Sequence, residues 1–121
     1  MAGDGEVEVD ELCSYAVDAW VADPAILTDE PALLRLLTDA ALAGNAKVLG
    51  ESRHVFPNGA VTAVLVLSQS HLSIHTWPEF NLANIDLLAY GRINAERMIA
   101  TIEDGLSPVR TNVSRLLRAT K

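Results

Sequence analysis

The sequence predicts an α+β fold, a two-layer sandwich in which an antiparallel-rich sheet carries its helices on one face. Three observations predict it. Two stretches have apolar residues at helical spacing, while six others read as strands. The resulting order is β-α-β-β-β-β-α-β. The middle strands are joined by links of hairpin length, which suits antiparallel neighbours.

Each element has its own signal. Residues 12–21 have alternating and apolar character and read as a first strand. Thr28 or Asp29 can cap the first helix, with Pro31 tolerated in its first turn. Leu33, Leu34, Leu36, Leu37, Ala40 and Ala41 then repeat at helical spacing, and Gly44 is the expected stop. Residues 47–55 read as a second strand, followed by the turn signal Pro57-Asn58-Gly59. Residues 60–67 are almost all apolar, which predicts a central strand covered on both faces. A homodimer pairing sheet to sheet, or a sheet face lining a ligand cavity, would supply the second cover.

Leu72 and Ile74 alternate with Ser73 and His75, so the polar pair should share one face of a short strand that Pro78 ends. Residues 84–90 form a further strand stopped by Gly91. Residues 95–104 make a second helix with Met98, Ile99 and Ile102 on one side and Gly105 after it. Residues 109–117 make a last strand, although the end of that segment also suits a helix.

The 121 residues suffice for one domain, 1–121, with one core. Half the residues are hydrophobic and 21% are charged, so the chain should fold. A net charge of −7 argues against nucleic acid or an anionic membrane as partner and suits a small cationic molecule. Cys13 is the sole cysteine, which excludes an internal disulfide and fits a reducing, cytoplasmic setting. No apolar run approaches the roughly 20 residues of a membrane span. Residues 1–11 are acidic, lack the features of a signal peptide and read as a loose leader.

The chemistry concentrates in Ser68-Gln69-Ser70-His71-Leu72-Ser73-Ile74-His75-Thr76-Trp77-Pro78-Glu79. Hydroxyls, two imidazoles and a carboxylate follow directly on an apolar strand. Taken singly, these residues have ordinary explanations. Serines and histidines are common on a polar strand face, His54 included. Trp77 suits packing, and Glu79 suits an exposed loop. Residue type alone gives an α+β domain with a polar cleft.

The run from Ser70 to Glu79 resembles the self-cleavage segment of the small prokaryotic S-adenosylmethionine decarboxylases. The likeness extends back through His54, Phe56 and Gly59 and forward through Phe80, Ile85, Asp86 and Gly91. It implies a cofactor made from the chain itself. A serine hydroxyl attacks the preceding carbonyl to give an ester, a base removes the serine α proton, and elimination leaves a dehydroalanine that hydrolyses to pyruvoyl. No metal is implied.

By position, the resemblance makes Ser70 the pyruvoyl precursor that forms the Schiff base with substrate, and Gln69–Ser70 the cleaved bond. It makes His75 the processing proton carrier and Thr62 its assistant, in place of a family serine. Phe56 takes the aromatic position that stacks on adenine, and Glu79 the carboxylate that binds the ribose hydroxyls. The implied product is the aminopropyl donor for spermidine synthesis.

The pattern breaks in places. Gln69 replaces a glutamate and cannot act as a base. Tyr90, before Gly91, replaces the cysteine that returns a proton to the substrate. Tyrosine is a weaker acid than cysteine by about 1.5 pKa units in free form. Cys13 can substitute only if its strand lies beside Tyr90. The first strand also lacks the family's Gly-x-His opening. These departures keep two alternatives open: a repurposed decarboxylase of arginine or ornithine, and an uncleaved, non-catalytic binding or regulatory homologue.

Overall fold

Alternation and helical spacing along the chain produce six strands and two helices in the computed structural model, which describes residues 11–118. The elements are β1 (Leu12–Val21), α1 (Glu30–Ala43), β2 (Val48–Val55), β3 (Val61–Leu67), β4 (His71–Trp77), β5 (Leu82–Ala89), α2 (Ala95–Leu106) and β6 (Pro108–Arg118), with 3-10 turns at Pro24–Thr28 and Pro78–Phe80. The leader expected at residues 1–11 lies, apart from Glu11, outside the described residues.

The strands form one sheet in the order β2-β3-β4-β5-β1-β6, antiparallel throughout. The links β2–β3, β3–β4 and β4–β5 are short, so these strands lie side by side. The longer connections through α1 and α2 cross the same face, and both helices pack there. The core lies in that layer, where Val17, Ala19, Leu65, Leu72, Ile74 and Ile85 meet Leu33, Leu37, Met98 and Ile102. The two-layer α+β expectation holds.

Local signals act as expected at the first helix. The Asp29 side chain accepts a hydrogen bond from the Ala32 amide at 3.2 Å, and Pro31 lies in the first turn. Gly44 stops the first helix as expected, while the expectation for Gly105 needs correction. Gly44 caps α1, but the left-handed residue is Asn45, at φ 63°. Gly105 does not follow α2. The helix runs on to Leu106, and Ser107, at φ 49°, turns the chain. Both glycines serve close approach: a Cβ on Gly44 would collide with Met98, and one on Gly105 with Leu36.

The apolar run predicted to be central and doubly covered is the second strand from the edge. Its odd positions are buried under the helices. Thr62 and Val64 are half-buried on the other face, and Val66 is 49% exposed there. Because both helices lie on one side, the second face is left open among the described residues. The final segment is strand to its end, paired along β1 from Leu12↔Arg118 to Val21↔Pro108.

Among the described residues, one polar side chain is fully buried. The Thr76 hydroxyl donates to the Leu27 carbonyl at 2.7 Å and accepts from the Val61 amide at 2.8 Å. It ties β4 to β3 and to the turn beneath, and so fixes the end of the sheet that carries His75 and Trp77.

Candidate active site

Strand alternation sends His71, Ser73, His75 and Trp77 to the open face of β4, while Leu72, Ile74 and Thr76 turn into the core. Antiparallel register then selects their neighbours. His75 stands opposite Thr62 of β3 on one side and Asn84 of β5 on the other. Thr62 Oγ1 and His75 Nδ1 are 2.6 Å apart. That hydrogen bond fixes the rotation of the imidazole and leaves its other nitrogen to exchange a proton.

Aromatic rings surround this pair. The His75 ring centroid is 5.7 Å from that of Phe56 and 4.4 Å from that of Trp77. His54 makes an edge contact with Phe56 at 4.7 Å. Phe56, Pro57, Asn58, Ala60, His75, Trp77 and Glu79 line an open groove of about 470 Å³. Its walls are aromatic and its rim carries a carboxylate, a combination that suits a flat ring bearing hydroxyl groups.

A second cavity, of about 270 Å³, lies at the opposite end of the strands. Glu11, Cys13, Tyr15, Tyr90, Gly91, Glu96 and Arg115 are among its lining residues. Cys13 is opposite Ala89, so its strand does lie beside Tyr90. Cys13 is 4% exposed, and an Arg115 N–H lies 3.1 Å from its sulfur. The same guanidinium donates to Tyr15 Oη at 3.2 Å and Glu11 Oε1 at 3.1 Å. Its hydrogen bond to Tyr15, and then the charge interactions with Cys13 and Tyr15, hold Arg115 above its ordinary pKa. It remains a cation at every working pH.

Ser70 belongs to this end. It closes the hairpin from β3 to β4, where the Ser70 carbonyl accepts from the Leu67 amide at 2.9 Å and the Ser70 amide donates back at 3.4 Å. Gln69 reaches across to β5. A Cβ on Gly91 would collide with its Oε1, and Gly91 itself has φ +78°. The bond between Gln69 and Ser70 therefore lies in a tight hairpin tip, with the Gln69 side chain against Gly91.

The site residues expected from sequence thus fall in two groups. Thr62, His75, Phe56 and Glu79 come together at one end, and Gln69, Ser70, Tyr90 and Cys13 at the other. Within one chain Ser70 and His75 are not neighbours. Five residues of strand separate their α carbons by roughly 16 Å, at about 3.3 Å per residue. Sequence reasoning gave no role to Asn84, Asp18 or Arg115. Each acquires its partners through strand register, which a single sequence does not display.

A family model described as S-adenosylmethionine decarboxylase matches residues 14–119. An S-adenosylmethionine decarboxylase proenzyme of Methanococcus maripaludis is 36% identical over 103 residues, covering 84% of each chain. The chain belongs to the S-adenosylmethionine decarboxylase family. An S-adenosylmethionine decarboxylase proenzyme 2 of Bacillus cereus is 40% identical over the same length, again with 84% of each chain covered. The crystal structure of the adenosylmethionine decarboxylase from Aquifex aeolicus superposes with a TM-score of 0.82, over 95% of both chains at 24% identity, a likeness of fold.

In this divergent member of the family, a phenol, Tyr90, and a thiol, Cys13, border one cavity. Among the described residues no group of three or more His, Cys, Asp or Glu side chains could hold a metal ion, and no helix is long and apolar enough to cross a membrane.

Proposed function

We propose that this chain cleaves itself between Gln69 and Ser70 and decarboxylates S-adenosylmethionine, supplying aminopropyl groups for spermidine synthesis. The observation that carries this reading is the Thr62–His75 hydrogen bond set among Phe56, Trp77 and Glu79. It joins a proton carrier to a groove suited to a nucleoside, in a chain whose relatives are named as proenzymes.

Ser70 fits the role of cofactor precursor on this structure. It sits at a hairpin tip pinned by two backbone hydrogen bonds to Leu67. The pyruvoyl group made from it would supply an electrophilic carbonyl that accepts the electrons of the breaking carboxylate bond. The chain's own residues do the rest. Phe56 offers a ring face to adenine, and Glu79 accepts hydrogen bonds from the ribose hydroxyls. Tyr90 carries the proton returned to the substrate, with Cys13 the adjoining alternative.

The separation of Ser70 from His75 supports a homodimer. The open sheet face carries Trp20, Val64, Val66, Trp77, Leu88 and Leu116 with no cover from the chain's own helices. A second copy laid open face to open face would cover these residues. It would also allow His75 of one chain to serve Ser70 of the other.

Intact mass and denaturing gels on the purified protein test the first step: two chains, split before residue 70, with a carbonyl that borohydride reduces. Release of labelled carbon dioxide from S-adenosylmethionine, with arginine and ornithine as comparison, tests the second. A single full-length band after long incubation would overturn the enzyme reading. Release from arginine or ornithine alone would move the substrate assignment.

A further inference from the structure

Asp18, Asn84 and Trp77 form a hydrogen-bonded chain across three strands. The Trp77 indole N–H donates to Asn84 Oδ1 at 2.6 Å, and Asn84 Nδ2 donates to Asp18 Oδ1 at 2.7 Å. Register builds it: Asp18 stands opposite Asn84, and Asn84 opposite His75, the residue two before Trp77 on the same face. The chain has a fixed sense. An indole N–H only donates and a carboxylate only accepts, so the Asn84 amide has one orientation that satisfies both. The carboxylate end makes that orientation stronger than a neutral pair would.

From this geometry we propose that Asp18, acting through Asn84, is the positioning residue that sets the angle of Trp77 in the wall of the groove. The proposal rests on the nucleoside-substrate reading above. Trp77 is 37% exposed at the end of its strand, where an unanchored indole would sample several rotamers. The bond to Asn84 selects one. In that rotamer the Trp77 ring stands 4.4 Å from that of His75, which is 5.7 Å from Phe56, so the three rings make one continuous aromatic row along the groove. Asp18 and Asn84 are not among the residues lining the groove, so they act on the ligand only through Trp77.

The test uses the full chain with Trp20→Phe, which leaves Trp77 as its one tryptophan out of two. Adenosine is the probe. Binding should quench Trp77 emission in this parent protein. Asp18→Ala and Asn84→Ala should each weaken adenosine binding about five-fold, the scale of one lost hydrogen bond. They should also raise the KM for S-adenosylmethionine with little change in kcat, and shorten the anisotropy decay of unliganded Trp77. Asp18→Asn, which keeps an acceptor oxygen, should recover most of the affinity. Circular dichroism and size-exclusion chromatography check that each variant keeps its fold and assembly state.

Adenosine bound by equilibrium dialysis with no change in Trp77 emission would overturn the contact of Trp77 with the ligand. Asp18→Ala indistinguishable from the parent in affinity and anisotropy would overturn the positioning role. Should the parent bind no adenosine at all, the substrate reading falls and that contact with it. The positioning role is then decided by the anisotropy of the unliganded variants. If Asp18→Ala fails to fold, Asp18→Asn and Asn84→Ala decide the same question.

Discussion

Thr62 and His75 face each other across β3 and β4, with 2.6 Å between the hydroxyl oxygen and Nδ1. The pair is held from below by Thr76, whose buried hydroxyl locks the same end of both strands. If this imidazole moves the proton during self-cleavage, His75→Ala should slow processing by about 100-fold or more, the usual scale of general acid–base catalysis. Thr62→Val keeps the shape and loses the hydroxyl, and should slow it less. Band intensities on a gel time course measure both, and processing at the normal rate in His75→Ala would remove His75 from the mechanism.

The distance between Ser70 and His75 gives a complementation test. Ser70→Ala and His75→Ala chains should each remain uncleaved when expressed alone. Co-expressed, the His75→Ala chain should be cut, because its intact Ser70 meets His75 of the other copy. Mass spectrometry distinguishes the two chains. No cutting in the mixture would place the whole reaction within one chain.

Tyr90 and Cys13 border one cavity, so they can be told apart by substitution. Tyr90→Phe removes only the hydroxyl and should lower kcat by about 10- to 100-fold once the protein is processed. Cys13→Ser should change kcat less than two- to three-fold, about the effect of a small packing change. The opposite order, measured by carbon dioxide release, would make the thiol the proton source.

At the groove, Phe56→Ala and Glu79→Gln should raise KM for S-adenosylmethionine with modest change in kcat. A hydrogen bond to a charged group is worth about 1.5–3 kcal/mol, so Glu79→Gln should cost roughly 10-fold or more. A fall in kcat at constant KM would show that Glu79 acts on the reacting bond instead.

Thr76→Val tests the scaffold rather than the chemistry. It strands the Leu27 carbonyl and the Val61 amide without their buried partner. The loss should be about 1–3 kcal/mol by urea unfolding. A variant as stable as the parent would mean that both backbone groups find other partners.

Much of the fold was legible because its signals are local. Alternation marks the strands, the turn at Pro57–Gly59 marks a hairpin, and Asp29 before Pro31 marks a helix start. Gly105 misled because a glycine kept for close packing looks, in sequence, like one kept for a turn. What covers the second face of the apolar strand was not legible for a related reason. An apolar run reports what is to be buried but not by which chain.

By itself the sequence determined the α+β class, the order of elements and the family, because periodicity and a contiguous motif are written along one dimension. Only the tertiary structure decided which residues meet. Register set Thr62 against His75, Asp18 against Asn84 and Cys13 beside Tyr90, and it carried Ser70 to the opposite end of the strand from His75. Pairing between strands depends on how the sheet aligns in space, and shifting one strand by a single residue would give every one of these side chains a different neighbour.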